Sequence, residues 1–211
     1  MLRDDVVKLL AWRLGSRKNF TDRILAEMDY AQKSVLETNE WLPWFLETEM
    51  VNTVTTSGDN RVALPADFLL EIEEQHLWYV NSEGKELVLG KADYDFLQAR
   101  YALTEAGEPK HYALGAQFFI FPTPDAAYTL HLRYYGADTS MVVDNVETKW
   151  LKHASDLVIA AAGKELAEKH IQNDALALKY ENDLAKAWTR LLNKHTAMQE
   201  INQSRVAGSE S

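Results

Sequence analysis

The 211-residue chain contains no cysteine. That excludes disulfides, thiolate metal sites and cysteine nucleophiles, and it suits a reducing compartment such as cytoplasm. Long apolar runs are missing too: no stretch of about 18 uncharged apolar residues occurs, so no membrane-spanning helix is expected. The amino terminus, Met1-Leu2-Arg3-Asp4-Asp5-Val6, places two acids where a signal peptide needs an apolar segment. The expectation is a soluble protein made in cytoplasm, with no membrane partner. Glycine is sparse, and its nine residues, scattered singly, form neither a P-loop nor a G-x-G-x-x-G fingerprint. Gly15-Ser16-Arg17-Lys18 has a faint likeness to a phosphate cradle, but no strand precedes it. It reads better as a helix terminator beside a basic loop.

What is present is the mix of a folded domain. Hydrophobic residues make up 46% and charged residues 26%, and six Trp, nine Tyr and seven Phe supply large surfaces for a packed interior or broad interfaces. Basic side chains are outnumbered, 22 against 32 acidic, for a formal net charge of −10. Such a surface repels nucleic acid unless its charges are segregated. Partial segregation exists. Arg3, Lys8, Arg13, Arg17, Lys18 and Arg23 oppose only Asp4, Asp5 and Asp22 at the start, whereas acids dominate from Glu27 to Glu74, where only Lys33 and Arg61 oppose them. Solvated helix faces explain this; so do complementary edges between neighbouring copies.

Hydrophobic period divides the chain into helical, strand-rich and helical zones (1–40, 41–140 and 146–202), read as one domain with a flexible tail at 203–211. Val6, Leu9, Leu10 and Leu14 mark a first helix stopped by Gly15. Thr21 is a plausible N-cap for a second helix, with stripe Ile24, Met28, Ala31 and Val35, ending near Asn39. Two hairpins are expected: 51–56 with 61–64 across Ser57-Gly58-Asp59-Asn60, and 76–80 with 86–89 across 81–85. Residues 91–101 have a short helical pattern with Ala92, Phe96 and Ala99 on one side. Strands follow at 112–114, 117–121 and 128–135, with Pro122-Thr123-Pro124-Asp125 turning between the last two. Trp150 to Ile171 reads as an alanine-rich helix. Asn173-Asp174 caps another that runs to about Ile201, with a seam of Tyr180, Leu184, Ala187, Leu191 and Met198. The fold expected is α+β: amino- and carboxy-terminal helices forming a bundle, with a mostly antiparallel β region.

No catalytic, cofactor-binding or metal-ligating residue is assigned. His76, His111, His131, His153, His170 and His195 include no two at three-to-five-residue spacing, and no G-x-S-x-G elbow is present. The acid pairs Glu47/Glu49, Glu71/Glu73 and Asp93/Asp95 sit within single segments, whereas catalytic pairs usually come from separate ones. Arg133-Tyr134-Tyr135 is the one aromatic-basic run that suggests nucleic acid, and strand packing explains it more simply. What remains is a protein that presents surfaces.

The order of short motifs in the middle zone resembles a known family. Leu64-Pro65-Ala66-Asp67-Phe68 is followed by Gly107-Glu108-Pro109-Lys110-His111-Tyr112-Ala113, then Pro122-Thr123-Pro124-Asp125, then Tyr134-Tyr135. This series is similar to the "LPxDF … GxPxxYA … PxPD … YY" pattern of head-to-tail adaptor (connector) proteins of tailed bacteriophages, of the short-tailed type. The likeness extends over about residues 2–200 by element order. The motif residues Leu64, Pro65, Asp67, Phe68, Gly107, Pro109, Tyr112, Pro122, Pro124, Asp125, Tyr134 and Tyr135 are structural. The resemblance implies a non-enzymatic virion protein of the neck between capsid and tail, made in host cytoplasm. It implies a ring, commonly of about twelve copies, seated under the portal ring. Such a ring extends the DNA channel, passes DNA without sequence-specific binding, and attaches a tail nozzle or other tail proteins. It also implies portal docking by the chain's end, placed on Leu191, Leu192, His195, Met198, Ile201, Arg205 and Val206. The alternatives are another tail or collar component, a carboxylate-dependent hydrolase, and a host-interaction module.

Overall fold

The strand-rich middle of the chain and the helices at its two ends form two compact units, Glu47–Gly136 and Met1–Leu46 with Ala137–Ser211. The computed structural model describes every residue except 16–19, 40, 73–76, 82, 102–105, 144–146 and 208–211, and no side chain at 49–52 or 199–207. In chain order the elements begin with α1 (Arg3–Arg13) and α2 (Thr21–Tyr30). Next come β1 (Glu47–Val54), β2 (Arg61–Val62), β3 (Phe68–Glu71), β4 (Leu77–Val80), β5 (Glu86–Val88) and β6 (Gly90–Lys91). Then follow α3 (Tyr94–Arg100), β7 (Ala106–Gly107), β8 (His111–Leu114), β9 (Phe118–Phe121), β10 (Thr123–Pro124) and β11 (Thr129–Gly136). The chain closes with α4 (Lys149–His153), α5 (Ser155–Leu166) and α6 (Asp174–Ala207).

The helical unit is built from both chain ends, as the single apolar stripe on each helix requires. Val6, Val7 and Leu10 of α1 are buried, and the chain leaves this helix through Gly15 at φ +87. A side chain at that φ is strained, so glycine suits the stop. Thr21 is not the cap of α2. Phe20 occupies the cap position, and its side chain makes no capping hydrogen bond. From α2 the chain runs into a π-helical segment, Ala31–Leu36, closed by the Glu37 N–H donating to Gln32 O at 2.9 Å. That wider turn brings both Gln32 and Glu37 inside.

The helix expected from Trp150 to Ile171 breaks at Ala154, whose φ of −146 is not helical. Thr148 caps α4 by accepting the Leu151 N–H, and α5 starts afresh at Ser155. Small side chains let α5 pack on several sides at once. Leu157 through Gly163 are all buried, and α5 contacts α1, α2, α4 and α6. A second π-helical segment, Ala167–Ile171, ends in Gln172 at φ +55, and Asn173 then caps α6 by accepting the Leu176 N–H at 3.0 Å. The cap at Asn173 is as expected. The helix runs on to Ala207, since no Gly or Pro interrupts it before Gly208.

In the strand unit, β11 organises the larger sheet. It pairs antiparallel with β1 along one edge, while β4 and β3 share the other; β5 completes the sheet beyond β4. The second sheet has order β2-β9-β8-β6, and β7 with β10 make a small parallel pair. Among the described residues only β6–β8 and β7–β10 run parallel, so the region is mostly antiparallel. Tyr79, Leu77, Leu130, Leu132 and Tyr134 from the larger sheet and Tyr112, Phe118 and Ile120 from the second form one apolar cluster.

Three expectations here are corrected. The hairpin 76–80 with 86–89 exists as β4–β5, although His76 and Ser82 lie outside the described residues. The hairpin 51–56 with 61–64 does not. Thr56 and Asp59 bridge across Gly58, but β1 pairs with β11 and β2 with β9. Residues 122–125 do not join paired strands either, because β9 and β11 lie in different sheets. Finally, α3 turns Leu97 inward and leaves Phe96 57% exposed. Asp93 sets that register by capping the helix through the Asp95 and Phe96 N–H groups.

Close packing of α5 on α6 yields a direct test. A Cβ at Gly163 would stand 2.5 Å from Tyr180 Cε1, inside any real contact distance. Gly163→Ala should destabilise the helical unit by about 1–3 kcal/mol in urea unfolding. Combined with Tyr180→Leu, it should cost less than the sum of the two single changes. Additive losses would contradict the packing.

Candidate functional site

Polar bonds tie the motif residues of the strand unit to one another and to their neighbours. Pro65 O accepts the Phe68 N–H at 3.1 Å, making the turn that carries Asp67. Asp67 in turn accepts the Tyr134 hydroxyl at 2.9 Å, and Phe68 stacks on the same Tyr134 ring. Leu64 packs against the apolar cluster beside them. Tyr112, fully buried, donates its hydroxyl to Glu71 at 2.9 Å, and Lys91 pairs with the other Glu71 oxygen. Burial and the Glu71 charge both push the Tyr112 phenol far above its ordinary range. Gly107 passes Pro122 so closely that a Cβ would stand 3.3 Å from its ring, and it accepts the Asp125 N–H. Pro109 is buried, Pro122 follows a cis peptide bond, and Pro124 O accepts the Gly58 N–H. Asp125 accepts the Tyr128 hydroxyl at 2.6 Å, and Tyr135 lies half-buried on β11.

In the helical unit a polar clasp holds the chain where it returns from β11. Gln32 Nε2 donates to Glu37 Oε1 at 2.8 Å and reaches the carbonyls of Asp138 and Thr139. Glu37 Oε1 also accepts the Asp138 N–H and the Trp150 indole N–H. Desolvation raises the Glu37 carboxyl above its usual range despite these donors. Asp29 accepts from Ser140 Oγ and the Met141 N–H and pairs with Lys33.

Beside the clasp lies an aromatic cluster. Phe45 stacks on His153 and meets Trp150 edge-on; Trp41 and Trp44 flank His195. The Trp44 N–H donates to His195 Nδ1 at 3.3 Å, so that nitrogen carries a lone pair and the imidazole is neutral. Burial lowers the proton affinity of both His153 and His195, and Lys194 and Lys152 lower His153 further.

Of the residues expected to dock a portal, Leu191 and His195 face inward, both at 5% exposure or less. Leu192 and Met198 are exposed, the latter at 39%. Ile201, Arg205 and Val206 continue α6, with side chains outside those described. Three of the paired acids hold structure. Asp93 is a cap, Glu71 is the Tyr112 and Lys91 partner, and Glu47 pairs with Arg133. Glu49 and Glu73 fall outside the described side chains. His131 stacks on Trp78 across β11 and β4. Among the described residues no group of three or more His, Asp or Glu is placed to hold a metal. The clasp and the histidine cluster were not foreseen from sequence; the density of Trp at 41, 44, 150 and 188 was their one visible sign.

A family model described as SU10 adaptor protein matches residues 3–209. No curated protein sequence matches the chain.

The lowered proton affinities of these two histidines fix a pH dependence. With folded-state affinities below the unfolded value, His153 and His195 contribute stability that is present above an unfolded pKa of about 6.5 and lost as pH falls. The melting temperature should drop between pH 7.5 and 5.5. The drop should be smaller in His153→Gln/His195→Gln, where Glu37, whose effect has the opposite sign, is unchanged. Equal pH slopes in the two proteins would contradict the assignment.

Proposed function

The chain belongs to the SU10 adaptor protein family, a family of phage head-to-tail adaptors, and on that premise we propose that it assembles as a ring under the portal. Adaptors of this kind are structural virion proteins that associate with portal and tail proteins. In the proposal the ring holds about twelve copies, its two units acting as one adaptor domain. It extends the DNA channel and offers the attachment surface for the tail nozzle or other tail proteins. The observation that carries the reading is the family match across 3–209, which spans both units.

Two features support the finer assignments. The acidic balance, −10 overall, suits a conduit through which a polyanion must pass without sticking. The 34-residue α6 supports docking by the chain's end. His195 is its last buried side chain among those described, and the helix continues to Ala207, about 18 Å further at 1.5 Å per residue. Leu192 and Met198 already stand exposed on approach to that segment. An end of this kind binds by being covered.

Deletion of residues 203–211 should weaken retention on purified portal rings by about tenfold or more, since each tenfold is only about 1.4 kcal/mol of contact. The melting temperature should stay unchanged. Full retention by the truncated chain would refute the docking role. Binding to a purified tail or collar ring in place of the portal would favour the collar reading.

A further inference from the structure

Two large aromatic side chains are left without work inside the fold, and their surroundings carry opposite charge. Trp12, in the last turn of α1, is 73% exposed and makes no ring contact among the described residues. It borders a groove of about 460 Å³ lined by Arg13, Leu176, Lys179, Tyr180 and Asp183. Lys8, exposed one turn earlier on α1, lies on the Trp12 side of that helix. In the adjoining hollow Arg190 and Asp156 neutralise each other at 2.9 Å, which leaves Lys8, Arg13 and Lys179 against Asp183. The groove rim is therefore net basic. Phe96, 57% exposed on α3, is the counterpart; the exposed Asp93 and Asp95 flank it on the amino-terminal side, while Arg100, one turn beyond, lies over the Tyr101 ring. Asp93 is held by its capping bonds, so the ring and the two carboxylates are presented together.

We propose that the Trp12 groove receives α3 of a second copy, with Phe96 against Trp12 and Asp93 and Asp95 facing Lys8, Arg13 and Lys179. This rests on the ring reading above and names the surfaces that join neighbouring copies. An aromatic anchor framed by complementary charge is the usual composition of an interface centre. The two surfaces differ, so the contact is head-to-tail, the kind that closes into a ring when its rotation permits. One aromatic pair and a few rim charges make a weak contact, which becomes stable when many copies are held on one template.

A chain without cysteine makes the test clean, because every disulfide formed is an introduced one. Leu176→Cys lies in the groove wall, and Ala99→Cys lies one turn beyond Phe96. Under mild oxidation the double variant should form a ladder of cross-linked species above dimer, and a mixture of the two single variants should form dimers containing one of each. Adding Trp12→Ala or Phe96→Ala should reduce cross-linking by about tenfold or more, with circular dichroism unchanged. Lys179→Glu and Asp95→Lys should each weaken it alone and restore it together. Absence of the mixed dimer, or cross-linking indifferent to both aromatic changes, would overturn the pairing. Portal binding is scored separately: a wild-type chain that ignores the portal overturns the adaptor reading, while the cross-link pattern decides the groove pairing.

Discussion

Closure of the helical unit depends on the clasp that Gln32 and Glu37 make on Asp138 and Thr139. About ninety residues of strand unit are inserted between the two sets of helices, so the returning chain must be held where α4 and α5 pack. The π-helical turn makes the catch possible. By adding one residue to the turn, it buries an amide and a carboxylate side by side on one face of the helix. The clasp then satisfies the Asp138 backbone and the Trp150 indole, and Trp150 is the largest fully buried side chain of the unit. Removing one member would strand a buried partner, a loss of about 1–3 kcal/mol.

The strand unit follows the same logic with different chemistry. Its motif residues reach across the sequence through tyrosine hydroxyls, Tyr112 to Glu71 and Tyr134 to Asp67, each placing a polar end on an otherwise apolar core. These bonds join segments some 40 to 70 residues apart, with separations of 41 and 67. A rigid scaffold with exposed aromatic and charged faces suits a protein whose work is contact with other chains.

The three-zone organisation was legible because helical and strand periods differ plainly, and Gly15, Asn173 and the β4–β5 hairpin follow from local chemistry alone. The pairing of β1 was not legible. A Ser-Gly-Asp turn fixes that the chain reverses, but it does not choose partners: Thr55 is drawn to Tyr128, and Asn60 to Ile120, so the two arms separate. The inward face of α3 was misread for a similar reason, since the cap at Asp93 set a register that the apolar spacing did not reveal. Of the expected docking residues, Leu191 and His195 belonged to the core seam, while Leu192 and Met198 stood outside it. A seam and a surface share one helix, and sequence alone does not say where the bundle stops covering it.

Light scattering of the purified chain, alone and mixed with its cognate portal ring, tests the adaptor assignment most directly. The account predicts a monomer alone and a discrete portal complex heavier by about twelve copies. A chain that leaves the portal's mass unchanged would contradict it.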